Sequence, residues 1–339
     1  MTIVIILLGF AFGFFLQYSK VNTFNTISGM SILEDLTVAK TIATAIGIGA
    51  ILLSIEIGLG FATYHIKPFF VGSIIAGGFI FGIGMSILGY CPGTMPVSIG
   101  QGSIDALIGM IGGLVASLLY TILSPYIHEV LGPDLGKLSL SLNDDPNSIY
   151  HYLLVLIIGS IFISIAFWLN KIEMKKDLNW FFSALGIALV ACIIFGVSDR
   201  VLGASTLYPF IADKLTGNIN NPYFIKVVEK SGLYEMKFLF GAFLSGLILS
   251  LLKKEFRLTL IHENWSRFNG NSNIKRIIWA FIGGFILLFG ARLAGGCTSG
   301  HIISGGMQLA MSSMVFAFFV FLGFLITGNL FYKKIINTD

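Results

Sequence analysis

Two cysteines occupy positions where packing alone does not explain a thiol. Cys91 falls within GYCPGTMPVSIGQG, residues 89–102, and Cys297 within LAGGCTSGHIISGG, residues 293–306. The first stretch holds two prolines and four glycines, the second five glycines, and long apolar runs flank both. Proline removes a helix donor and glycine frees the backbone, so each stretch reads as a break in a helix. Non-helical backbone at membrane depth is tolerated only where protein buries it or a polar cavity meets it. A helix restarting after such a break aims its N–H groups and positive dipole end at the gap, which suits an anion. A thiol there is a weak donor on a soft, polarisable atom. Arg292 adds a fixed positive charge near Cys297 and His301 lies one turn beyond it; Arg200 is a further candidate for stabilising an anion. His301 reads equally well as a capping or packing residue, and Arg200 as the neutralising neighbour of Asp199. Cys192, inside IALVACIIFG with no breaker nearby, reads as a buried packing residue. Asp105, Glu56 and Asp199 lie in or near apolar runs, where ionisable groups are functional candidates.

The two cysteine stretches are copies of one another. GGFIFGIGMSILGYCPGTMPVSIG (77–100) aligns without a gap on GGFILLFGARLAGGCTSGHIISGG (283–306), with nine of 24 positions identical, among them Gly77/Gly283, Gly84/Gly290, Gly89/Gly295 and Cys91/Cys297. The first copy follows the third apolar span and the second follows the eighth. Five crossings separate them, so the second copy is inverted, and the two breaks converge from opposite faces.

The elements that must carry these breaks are membrane helices. Of 339 residues, 55% are hydrophobic and 11% charged, about half the charge of an ordinary soluble domain. Spans of roughly bilayer length are expected at 2–18, 36–57, 68–89, 104–124, 150–170, 179–197, 236–252, 275–294 and 308–331. The fold class is an all-α polytopic membrane protein with about nine transmembrane helices, broken or re-entrant segments, and an inverted-topology repeat. Residues 1–124 read as the first half, 125–178 as a polar connection with a linking span, and 179–339 as the second half. The segment ASTLYPFIADKL within 198–235 reads as a short partial helix. The opening residues lack a basic leader and a cleavage site and read as a retained helix.

Placing the N-terminus outside and the C-terminus inside puts thirteen Lys and Arg residues inside and eight outside, the asymmetry expected of cytoplasmic loops. A net charge of +4 carries no signature of nucleic-acid binding. Three cysteines without a C-x-x-C pair speak against a zinc site and a disulfide framework, and no metal or cofactor is expected.

LAGGCTSGH after a Gly-rich helix, together with GYCPGT in the first half, resembles the YeeE/YedE family of sulfur-compound permeases, typified by bacterial thiosulfate transporters, over nearly the whole chain. The resemblance implies an hourglass-shaped inner-membrane protein built of inverted halves, a permease rather than an enzyme. Cysteines along its narrow central path hand on thiosulfate or a related inorganic sulfur anion. It also implies a small cytoplasmic sulfur-carrier or sulfurtransferase as partner, beside the lipid bilayer. Cys91 and Cys297 match the family cysteines of the two breaks. A third family cysteine belongs after the first span, where this chain has Asn22, and the corresponding second-half segment, SDRVLGAST, also lacks Cys. The path is therefore expected to be polar rather than thiol-lined at Asn22, whose amide has two N–H donors. Two other readings stand beside this one. One is a carrier of another chalcogen species such as sulfite, polysulfide or a selenium compound. The other is a membrane thiol oxidoreductase, for which an exposed C-x-x-C is wanting.

Overall fold

Gly89 and Gly295, one pair of the repeat, end their helices in the same left-handed conformation, with φ of +79° and +72°. Around them, the computed structural model describes residues 1–140, 146–173 and 177–332, for 128–130 the backbone alone. The helices are α1 (Thr2–Tyr18), α2 (Phe24–Ser31), α3 (Thr37–Gly58), α4 (Val71–Leu88), α5 (Met95–Gly100), α6 (Ile104–Val130) and α7 (Ile149–Glu173), then α8 (Asn179–Ser198), α9 (Leu207–Thr216), α10 (Glu229–Leu252), α11 (Glu263–Asn269), α12 (Asn273–Leu293), α13 (Ser304–Met307) and α14 (Met311–Tyr332). One wide π turn, Phe224–Val228, leads into α10 and another, Thr298–Ile303, into α13. Among the described residues eight helical segments are long and apolar enough to cross a membrane, and α1 is a 17-residue apolar helix beside them. The chain has the fold of a polytopic helical membrane protein. Leu153, Leu156, Ile157, Ile161 and Trp168 of α7 are exposed, an apolar face that lipid rather than water covers.

The centre is the crossing of α4 and α12. A Cβ added to Gly84 would lie 2.2 Å from the backbone nitrogen of Leu287 and 2.9 Å from the carbonyl oxygen of Gly283. One added to Gly290 would lie 2.5 Å from the backbone nitrogen of Phe81 and 2.8 Å from the carbonyl oxygen of Gly77. In the alignment Gly84 corresponds to Gly290 and Gly77 to Gly283, so each contact maps onto the other. The early part of each helix meets the late part of its partner, and the pair is antiparallel. Small residues permit this approach where dispersion between backbones, not exclusion of water, holds helices together. The neighbours follow the same scheme: α14 packs on α4 as α6 packs on α12, and α10 packs on α1 as α3 packs on α8.

Two expected boundaries move. The span expected at 236–252 begins at Phe224 through the π turn; Glu229, Lys230 and Lys237 lower the local hydropathy there and conceal its start. The span expected to end near 124 continues through Pro125 to Val130. Proline leaves the carbonyl four residues earlier without its helical donor, and Ser124 Oγ fills that place by donating to Thr121 O at 3.0 Å. The expected partial helix in 198–235 is α9. The charge count needs correction: Lys40, Arg276 and Arg292 are buried among helices rather than placed in loops. Lys40 lies against Glu173 Oε2 at 2.5 Å and Arg276 against Asp105 Oδ2 at 2.5 Å, partners that compensate the loss of water. Lys175, Lys176, Lys333 and Lys334, four of the cations assigned to the inside, lie outside the described residues.

Candidate functional site

The first break runs from Gly89 to Thr94. An added Cβ at Gly89 would lie 2.2 Å from the Phe24 ring of α2, so both its conformation and its surroundings demand glycine. The turn then closes on Thr94, whose Oγ1 accepts from Cys91 N at 2.9 Å and donates to Cys91 O at 3.1 Å. From the other half, Tyr208 of α9 donates to Pro92 O at 3.2 Å. Arg276 caps the end of α4, donating to Leu88 O at 2.8 Å and Ile87 O at 3.3 Å, as cations near a helix C-terminus do. Asp105 is held by Arg276, His262 and Tyr90, which gives this ionisable residue a structural occupation.

The second break, Ala294 to Cys297, turns at Gly295. Cys297 is buried, 1% exposed, with Sγ 3.2 Å from Ser299 Oγ. His301 is spent on this turn. Its Nε2 donates to Ala294 O at 2.8 Å, leaving Nδ1 to accept from Ser313 Oγ at 3.1 Å, and its ring stacks on Phe316. Both nitrogens are committed to protein partners, so His301 shapes the break and faces neither cavity described next.

Each thiol borders its own cavity. Cys297 lines one of about 410 Å³, together with Arg292, Lys67, Glu235, Ser205 and Thr206. Cys91 lines a second of about 50 Å³ whose walls include Thr94, Thr298 and Ser299, space for one or two waters at roughly 30 Å³ each. Thr298 and Ser299 directly follow Cys297, so the second break is the partition between the cavities, and the Cys297–Ser299 contact crosses it. The large cavity opens at the ends of α8 and α12 and the start of α4; the small one adjoins the ends of α1 and α4.

Arg292 is the buried cation of the large cavity. It is 2% exposed; Nη2 donates to Ser205 Oγ at 3.1 Å and Nη1 to Thr206 Oγ1 at 3.4 Å, while its buried Nε lacks a partner among the described residues. An unpaired buried donor is costly. Lys67, from the connection between α3 and α4, donates to Gly295 O at 2.7 Å. An added Cβ at Gly296 would lie 2.1 Å from its Nζ. Removal from water, with Arg292 nearby, pushes the Lys67 ammonium down to about 8.

Arg200 lies farther out. It sits over the Tyr234 ring, with its guanidinium carbon 5.5 Å from the ring centre, in an outer recess that it shares with His65, Asp199, Lys67 and Glu235. Asp199 is not its counter-charge: it accepts from Thr63 Oγ1 at 2.8 Å and lies 2.9 Å from His65 Nε2. Asn22 is fully buried and donates through Nδ2 to Gln101 Oε1 at 2.7 Å and Ser98 Oγ at 3.3 Å, while Ser98 Oγ donates to Asn22 O at 2.7 Å. Its neighbour Val21, not Asn22, lines the small cavity. The second half repeats the device: Ser304, the counterpart of Ser98, accepts from Leu202 N at 3.0 Å. Asn22 and Leu202 each lie four residues beyond the end of α1 and α8, so Leu202 is the residue of SDRVLGAST that corresponds to Asn22.

This bonding sets an expectation for Asn22. Asn22→Ala loses both amide bonds to α5 and its loop, at about 0.5–1.5 kcal/mol each, read as a lower melting temperature in detergent. Asn22→Cys, whose thiol is a weaker donor, should fall between. Equal melting of all three forms would mean the amide does not anchor the first break.

Neither Lys67 nor Glu235 is a site candidate from sequence: Lys67 counts there among the eight outside cations, and Glu235 sits one position before the expected span. Only a charged residue beside an apolar run could have pointed to Glu235.

Residues 18–326 match the profile of a family described as sulphur transport. A protein named thiosulfate transporter TsuA from Spirochaeta thermophila is 26% identical over 94% of this chain and 95% of its own length. A protein of the same name from Escherichia coli is 22% identical over 93% of this chain and 90% of its own.

Proposed function

The chain belongs to the sulphur-transport family, and from that premise we propose that it is an inner-membrane permease for thiosulfate or a closely related sulfur anion, moved along a path bordered by Cys297 and then Cys91. The observation that carries this reading is the partition: two thiol-bearing breaks from repeat copies, with a cation-lined cavity of about 410 Å³ on one side and one of about 50 Å³ on the other. The anion is drawn to the Arg292 guanidinium and the Lys67 ammonium, which line the large cavity. Its soft terminal sulfur then exchanges water for the Cys297 S–H, which turns away from Ser299. Passage to Cys91 requires Thr298 and Ser299 to move aside, because the small cavity is too tight for the ion. Weak S–H donors suit a pathway in which binding must favour arrival without preventing departure. Residues 1–124 and 179–339 act as the inverted halves, joined by 125–178. The large cavity faces outward, with the N-terminus outside and the C-terminus inside.

The test is uptake of radiolabelled thiosulfate into vesicles of the purified protein, with sulfate, sulfite and selenite as competitors. Saturable uptake that sulfate competes for poorly is expected. Failure of thiosulfate to enter, or equal competition by sulfate, overturns the assignment.

Lys67 gives the uptake a pH dependence. Because burial lowers its ammonium to about 8, the charge is present below that pH and lost as the pH rises through it. Uptake should fall between about pH 7 and 9. Lys67→Arg, which keeps its charge there, should flatten this fall. A wild-type profile unchanged by the substitution would remove Lys67 from the entrance.

A further inference from the structure

Glu235 borders the large cavity and has no part in the pathway just described. We infer that Glu235 is a proton acceptor linked to anion binding: a dianion held by Arg292 and Lys67 draws a proton from the outer solution onto this carboxylate. The inference rests on the transport reading above and adds a second ligand, the proton, to the same cavity.

The geometry places opposing charges around one turn. Glu235, on α10, is 6% exposed, and its Oε2 accepts from Thr206 N at 2.5 Å and Leu207 N at 3.0 Å. Arg292 grips the side chains of Ser205 and Thr206 from the other side. Glu235 therefore holds the backbone of the turn whose hydroxyls orient the anion-binding guanidinium. It also lines both the large cavity and the outer recess, so an incoming proton and an incoming anion meet it from the same side.

The charges decide the linkage. Two cations, Arg292 and Lys67, and one carboxylate border the large cavity. With Glu235 ionised, the cavity offers one net positive charge to an ion carrying two negative charges. Protonation brings the offer to two. Like charges sharing a cavity sheltered from water interact more strongly than in solution. Linkage is reciprocal, so an anion that is repelled by the carboxylate must raise its affinity for a proton. The other groups facing Glu235 do not replace it in this role. Asp199 and His65 are bonded to each other at the rim, and Arg200 lies over Tyr234. Tyr223 and Tyr234 lie on or just before its own helix, with Tyr208 on α9 and Tyr120 on α6; phenols stay neutral over the range tested. Cys297, in the second break, belongs to the path itself. A carboxylate serving only to cap the N-terminus of α9 would have no such linkage, and this is the distinction to measure.

Thiosulfate, a dianion throughout, is titrated into the purified protein by calorimetry between about pH 5.5 and 7, where Lys67 stays charged. Buffers of different ionisation heat give the protons taken up per anion bound. For wild type the expected result is uptake of up to about one proton, with affinity weakening by up to about tenfold per pH unit as the pH rises. Glu235→Gln keeps the shape and an accepting oxygen for Thr206 and Leu207 but cannot titrate. It should bind without proton uptake and with affinity independent of pH. Binding by wild type without proton uptake overturns the inference and leaves the transport reading standing; this arm needs no variant to fold. Wild-type proton uptake retained in Glu235→Gln overturns it as well. Absence of thiosulfate binding at every pH overturns the transport reading, and this inference with it.

Discussion

Thiosulfate uptake should fall about ten- to a hundred-fold in Cys297→Ala and in Cys91→Ala, and should be nearly unchanged in Cys192→Ala. The magnitude follows from one hydrogen bond to a charged partner, roughly 1.5–3 kcal/mol, with about 1.4 kcal/mol for each tenfold change. Neither of the first two substitutions has a large structural cost. Cys91 is held in its turn by its backbone and Thr94, and the Cys297 side chain contacts Ser299 across the partition. Cys192 is buried in α8, its sulfur 3.9 Å from Gly49 O on α3, and lines neither thiol cavity. Its loss belongs to the small packing changes of about 1 kcal/mol or less. The measurement is initial uptake by vesicles containing equal amounts of folded protein. Equal loss in all three variants would make thiol content, not position on a path, the determining property. Full activity in both Cys91→Ala and Cys297→Ala would remove the thiols from the pathway.

Gly84→Ala and Gly290→Ala should each destabilise the protein by about 3 kcal/mol or more, and by similar amounts. Overpacking a close-packed site costs typically 1–3 kcal/mol, and here the obstacle is backbone. The new methyl would lie 2.2 Å from Leu287 N in the first variant and 2.5 Å from Phe81 N in the second. Neither helix can yield without separating α4 from α12 and disturbing the breaks that follow them. Near-equality is the informative part, because the two positions correspond in the repeat and each meets the other copy's backbone. Thermal unfolding in detergent, followed by tryptophan fluorescence, reads both. A large loss in one variant beside none in the other would show that the two glycines are not structurally equivalent.

Much of this molecule was legible in the chain because its signals are local. Apolar runs of bilayer length name their helices, and glycine with proline names the breaks, since both act on the backbone where they stand. Gly89 and Gly295 show this: their alignment marks the shared break, and both take the same left-handed conformation in the structure. The ungapped repeat also carries long-range information, since an odd number of crossings between copies implies inversion, and the reciprocal glycine contacts of α4 and α12 have that antiparallel geometry.

The electrostatics of the cavity depended on tertiary structure. Arg292 on α12, Lys67 before α4 and Glu235 on α10 are far apart in sequence; Arg292 reads there as a charge beside Cys297, but nothing local joins Lys67 or Glu235 to it. Packing buries Arg292 and Glu235 and gathers them with the half-buried Lys67 around one space. The roles of Asn22 and His301 were decided in the same way. As residue types they offer donors to an anion, but folding gives Asn22 to Gln101 and Ser98, and His301 to Ala294 and Ser313. A side chain's chemistry is set by its type; whether that chemistry faces a ligand or holds the protein together is set by which distant partner reaches it first.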